Sequence, residues 1–195
     1  MRKRLAPLEG EPGRAVYRDD AVRVETAAET ITVRPPFGLA HEGEYETVEL
    51  GPLFEALAQD RVVAAVLVRL GGYAFGVFEG ERLVASKVGS RFVKGKHKKG
   101  GSSSNRFRRR REEQARALIE EAAETAVRVL EPWRERVEFV ALGGDRTAVG
   151  QVLAEPRLFW LADRAVPRFF TVPDPRQRDL ERLPYDLYAA EVTTS

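Results

Sequence analysis

The chain has 195 residues, 43% hydrophobic and 32% charged, with a net charge of +2; that composition describes a folded globular protein with one good core, or one core and a small appendage. The absence of cysteine excludes a disulfide scaffold and any thiolate metal site, and the two histidines, His41 and His97, stand in no ligand spacing with carboxylates, so neither a metal nor a cofactor is expected. No apolar run approaches about 18 residues, so no membrane span is expected, and basic Met1–Arg4 is followed by no apolar stretch, so the expected location is the cytoplasm.

Near the N-terminus, Ala15–Tyr17 and Val22–Val24 flank Asp19-Asp20 and read as a short hairpin. Ile31–Val33 forms a strand that Pro35-Pro36 ends. Tyr45–Leu50 alternates like a strand, and Leu53–Gln59 reads as a short helix. Val62–Leu70 is almost continuously apolar and suits a central strand. The turns at Gly71-Gly72 and Gly80 make Tyr73–Phe78 and Arg82–Val88 the next strands of an antiparallel meander. A loop from about Gly89 to Asn105 leads into a long helix that ends at Pro132, with Phe107, Leu118, Ala122, Ala126 and Leu130 on one face and Ile119, Ala123 and Val127 widening it. Strand Val137–Leu142 and helix Thr147–Leu153 follow, the latter N-capped by Asp145. Arg168–Val172 is read as a strand, Arg176–Leu183 as a short helix and Asp186–Val192 as a last strand. The order implies an α/β (α+β) fold, a mixed sheet with helices packed on it. Residues 1–44 are read as an N-terminal extension or small appended β element and 45–195 as the functional domain.

The charge is not spread evenly. Between Arg91 and Arg111 there are ten Lys or Arg residues and no Asp or Glu, so the rest of the chain carries −8. An acidic body with one concentrated basic segment is the footprint of nucleic-acid contact at one place. A solvated charge run is the plainer alternative, but this run is broken by Gly100-Gly101-Ser102-Ser103-Ser104 and no acidic residue lies within it. Gly100 and Gly101 let the backbone press closely on a ligand. The three serines supply hydroxyls and can cap the following helix. Arginines in a first helical turn oppose the partly positive helix end, at a few tenths to about 1 kcal/mol each; the placement makes sense if phosphate fills the space in front of them.

The order of a β-meander, a basic Gly-Gly loop and a helix opening Arg106-Phe107, with Arg109 and Arg111 beyond, resembles the catalytic middle domain of the class 1 release factors of eukaryotes and archaea. It is more similar still to bacterial release-factor-like peptidyl-tRNA hydrolases of the Vms and actinobacterial VLRF type. That likeness extends to Gly71-Gly72-Tyr73, to 76–80 and 83–91, to Gly143-Gly144-Asp145-Arg146 and to Val172-Pro173-Asp174-Pro175-Arg176, and so to about residues 45–195. The resemblance implies an RNase H-like mixed sheet and a loop that enters the peptidyl-transferase centre of the large ribosomal subunit, or meets the 3′ end of peptidyl-tRNA. There a loop glutamine and backbone amides would set water against the ester, mostly by positioning and polarisation. It makes Gly100, Gly101, Ser102, Ser103, Ser104 and Asn105 the expected catalytic segment. Lys94, Lys96, His97, Lys98, Lys99, Arg106, Arg108, Arg109, Arg110 and Arg111 are the expected RNA contacts. The chain departs from the family pattern at one point: none of residues 100–105 is glutamine, and Asn105 is the only asparagine in the chain. Three readings follow, namely a hydrolase that releases nascent chains from stalled ribosomes, a rescue factor that binds without catalysis, and a nuclease acting on the tRNA 3′ end.

Other candidates have plainer explanations. Gly143-Gly144-Asp145-Arg146 can cradle a phosphate, but such a turn more often only joins a strand to a helix. Gln114 lies too deep in the long helix to replace a loop glutamine. Trp133, Phe159, Trp160, Phe169 and Phe170 are expected in the core rather than as stacking platforms for bases.

Overall fold

A computed structural model describes residues 2–90 and 103–195. The chain divides into two compact units, Met1–Asp60 with Tyr185–Ser195, and Arg61–Pro184, where the sequence reading draws one boundary at 44/45.

The first unit begins with helix α1 (Arg2–Leu5) and contains strands β1 (Pro12–Arg18), β2 (Ala21–Glu25), β3 (Thr30–Arg34) and β4 (Gly43–Thr47), then helix α2 (Gly51–Ala58). Asp19 and Asp20 both have positive φ, 54° and 59°, the geometry of the two-residue hairpin turn that matches strand twist. Alternation buries Ala15 and Tyr17, Val22 and Val24, and Ile31 and Val33 on one face, against Leu5, Leu50 and Leu53. The strand expected over Tyr45–Leu50 stops at Thr47, and Val48 and Leu50 enter this core instead.

One expectation is corrected here. The last strand, β10 (Glu191–Thr194), pairs antiparallel with β3 in the five-stranded sheet of the first unit rather than joining the mixed sheet of the second. The segment expected to form that strand from Asp186 is still helical to Leu187. Pairing across about 160 residues leaves no local trace in sequence.

The second unit holds β5 (Val62–Arg69), β6 (Gly72–Glu79), β7 (Arg82–Ser90), α3 (Ser103–Leu130), β8 (Phe139–Gly144), α4 (Arg146–Leu153), α5 (Trp160–Asp163), β9 (Ala165–Phe170) and most of α6 (Gln177–Leu187). Its sheet order is β7-β6-β5-β8-β9. The meander β5-β6-β7 is antiparallel, whereas β8 and β9 run parallel to β5. Strand β5 is central, and Val63 to Val68 are all buried. Ala64, Val66 and Val68 face a core made with Leu118, Ala122, Ala126 and Leu130 of α3. The opposite face is covered in part by α6, since a Cβ on Gly76 would lie 3.2 Å from Leu180. Burial on both faces is why β5 reads as one apolar run. Phe159 departs from the core expectation and is 57% exposed, because the short helices at 156–163 turn Leu158, Trp160 and Leu161 inward instead.

Candidate nucleic-acid interface

The site is assembled at one end of the second sheet. Strand β5 ends at Arg69, β7 at Ser90, β8 at Gly144 and β9 at Phe170, and all four run in the same direction. Helix α3 runs the opposite way: Glu121 and Thr125 meet Tyr73 at the start of β6, while the backbone beyond Trp133 returns to Val62 at the start of β5.

Among the described side chains of α3, the first fully buried is Leu118. Among the described side chains before it, Arg106, Arg108, Arg109 and Arg110 are exposed and Arg111 is half-buried. At about 1.5 Å per residue, Arg106 stands roughly 18 Å ahead of the point where the helix meets the sheet. The front of α3 is therefore an arm, and its arginines are held on regular helix.

Two expectations about these arginines are corrected. Helix α3 starts at Ser103, so Arg106 is its fourth residue and Arg108–Arg111 lie beyond the first turn. The helix-dipole penalty expected for them falls off within that turn. In addition, Arg108 has an acidic neighbour, Glu112, at 3.8 Å one turn on. That exposed pair contributes at most a few tenths of a kcal/mol. Of the candidate catalytic residues, Ser103, Ser104 and Asn105 fall in the first turn of α3 by their backbone. Lys94, Lys96, His97, Lys98, Lys99, Gly100, Gly101 and Ser102 lie outside the described residues, as does the side chain of Phe107.

A polar chain ties the packed part of α3, beyond Leu118, to β6. Tyr73 donates to Glu121 Oε1 at 3.0 Å, and Thr125 Oγ1 lies 3.3 Å from the phenol oxygen. Arg128 donates to Thr125 Oγ1 at 3.0 Å. The phenol's single proton goes to the carboxylate, so the Thr125 hydroxyl donates to the phenol oxygen, and each member is satisfied in one direction. Thr125 is 1% exposed, where an unmade hydrogen bond would be costly. Burial pushes the Tyr73 phenol above its usual range. The same ring lies over Gly89, in register with it across β6 and β7, and a Cβ there would come within 2.2 Å of the ring. Gly89 precedes the basic segment by two residues, so this contact sets where β7 releases the chain. Sequence reasoning missed this brace: Tyr73 reads as an ordinary strand residue, and only the pairing shows why position 89 must be glycine.

At the end of β8, Gly144 takes φ +101°, and a Cβ there would lie 2.2 Å from Val68 O. Asp145 then caps α4, accepting from Ala148 N at 2.8 Å, as the sequence predicts. The Gly-Gly-Asp turn is thus accounted for as a strand-to-helix connection. Among the described residues no group of three or more His, Asp or Glu side chains is placed to hold a metal ion, and no helix is long and apolar enough to cross a membrane.

Comparison with known proteins adds two findings. The family model for the Actinobacteria/chloroflexi VLRF1 release factor matches residues 61–193, which is the second unit and the strand that follows it. No curated protein matches. Among solved structures, the Vms1 mitochondrial localization core aligns with a TM-score of 0.53 at 10% identity, over 88% of this chain and 76% of that one. The archaeal translation termination factor aRF1 aligns at 0.47 and 16% identity, over 86% and 49%. Archaeoglobus fulgidus Pelota aligns at 0.40 and 12%, over 93% and 57%. The chain spans about half the length of the archaeal chains it matches. At 10% identity the likeness to the Vms1 core is one of fold.

Proposed function

The chain belongs to the Actinobacteria/chloroflexi VLRF1 release factor family, and on that premise we propose that it is a ribosome-associated peptidyl-tRNA hydrolase that frees nascent chains from stalled large subunits. The observation that carries this reading is the α3 arm: exposed arginines stand ahead of the sheet, directly after a segment with two adjacent glycines and three serines. In the proposal Arg106, Arg108, Arg109, Arg110 and Arg111, with Lys94, Lys96, His97, Lys98 and Lys99, hold RNA phosphates. Gly100 and Gly101 let the backbone approach the ester, and Ser102 to Asn105 orient the attacking water. Catalysis is then a matter of positioning and of polarising the ester carbonyl, without a protein nucleophile. Residues 45–195 are the proposed functional region, and the chain acts in the cytoplasm.

One observation favours a second reading. No glutamine stands in residues 100–105, so the amide that the family pattern places against the ester is missing. A rescue factor that occupies the same site without cleaving would need only the basic residues.

The test is release of labelled peptide from peptidyl-tRNA on stalled large subunits, with the wild type beside Gly101→Ala. Release that the variant loses, with binding kept, establishes the hydrolase. Salt-sensitive binding without release leaves the binding factor. A shortened tRNA 3′ end points to a nuclease.

A further inference from the structure

The arm is not the only place in the second unit where arginine lacks an anion. Elsewhere most described arginines are engaged: Arg61 with Glu138 at 2.8 Å, Arg136 with Glu79 at 2.5 Å, and Arg157 with Glu124 and Glu155 at 2.7 and 2.6 Å. Arg69 and Arg146 are exposed and have no carboxylate within ion-pair distance among the described residues. Both sit at the carboxyl end of the sheet, beside the root of the basic segment at Ser90. They are also neighbours in the backbone, because Val68 pairs with Gly144 and Asp145 N donates to Val68 O at 2.8 Å.

Neither side chain is loose. Arg69 donates to Val172 O at 3.3 Å, which draws it across the end of β8. The Arg146 guanidinium lies over the Phe169 ring at 4.2 Å from the centroid. Each contact uses only part of the guanidinium, so donor edges remain for phosphate oxygens, and little side-chain freedom is left to lose on binding. Asp145, which precedes Arg146, is committed to capping α4. No side chain rises from Gly144 to block the approach.

We propose that Arg69 and Arg146 form a second phosphate-contact surface, so that an RNA held by the α3 arm also lies along the carboxyl end of the sheet. The inference rests on the RNA-contacting reading given above and extends it from the arm to the body of the unit. The occupant is the backbone of a duplex, because the contacts are to charge rather than to base edges. It must be long enough to pass from the arm to the sheet end.

The probe is an RNA hairpin of about twelve base pairs, bound to the full chain across a salt series. Four proteins are compared: the wild type, Arg69→Gln/Arg146→Gln, its conservative counterpart Arg69→Lys/Arg146→Lys, and the control Arg82→Gln/Arg136→Gln, which removes the same charge as the Gln pair from the opposite end of the sheet. If both arginines contact phosphate, the salt slope of the first variant falls by about 1.8, and the loss of affinity between about 50 and 200 mM salt shrinks about twelve-fold. The control keeps the wild-type slope, and Arg69→Lys/Arg146→Lys restores most of it. An unchanged slope in the Gln pair, or an equal fall in the control, overturns the inference while the arm reading stands. If the wild type shows no salt-dependent binding at all, the arm reading fails and this inference fails with it.

Discussion

Replacing Gly89 by alanine tests the brace between β7 and α3. The added methyl would lie 2.2 Å from Tyr73 Cζ and 2.3 Å from its hydroxyl oxygen, so the ring must swing away. Swinging removes the bonds to Glu121 and Thr125, at about 1 kcal/mol each. Repacking the displaced ring adds about 1–3 kcal/mol. The backbone of Gly89 is not in the left-handed region, so alanine recovers about 0.4–1 kcal/mol by restricting the unfolded chain. The net destabilisation is about 2–5 kcal/mol. Urea unfolding followed by tryptophan fluorescence reads this unit alone, since Trp133 and Trp160 are the chain's two tryptophans and both belong to it. In a Tyr73→Ala background the same substitution meets no ring and costs less than about 0.5 kcal/mol. A cost below about 0.5 kcal/mol in the wild type, or an equal cost in both backgrounds, would refute the brace.

Asp145→Ala removes the cap of α4 and lowers the stability of the same unit by about 1 kcal/mol, whereas Asp145→Asn keeps most of it; the same fluorescence titration separates the two. In the first unit, Tyr17 donates to Glu49 O at 2.6 Å, and burial raises its phenol well above the ordinary value. The unfolded phenol ionises near pH 10 and the folded one at higher pH, so this stabilisation is present below about pH 10 and is lost above it. Alkaline unfolding followed by circular dichroism should show stability falling by up to about 1.4 kcal/mol per pH unit above that point, and Tyr17→Phe should flatten the fall.

The second unit was legible in the sequence because its signals are local. An apolar run of eight residues, glycine turns, the 118–122–126–130 spacing and an aspartate before a helix each report their own neighbourhood, and the structure places all of them as expected. The basic segment was visible as charge alone. What the sequence could not give was long-range pairing. Nothing near Val192 announces that it will lie against Val33, because a strand's partner is chosen by the sheet edge that remains available. Nothing near Gly89 names Tyr73, and nothing near Arg69 or Arg146 shows that the two stand at one end of a sheet, neither with an ion-pair partner among the described residues. Composition and periodicity fix which residues prefer burial or water; only the tertiary fold decides which charges are neutralised by the protein itself and which are left for a partner.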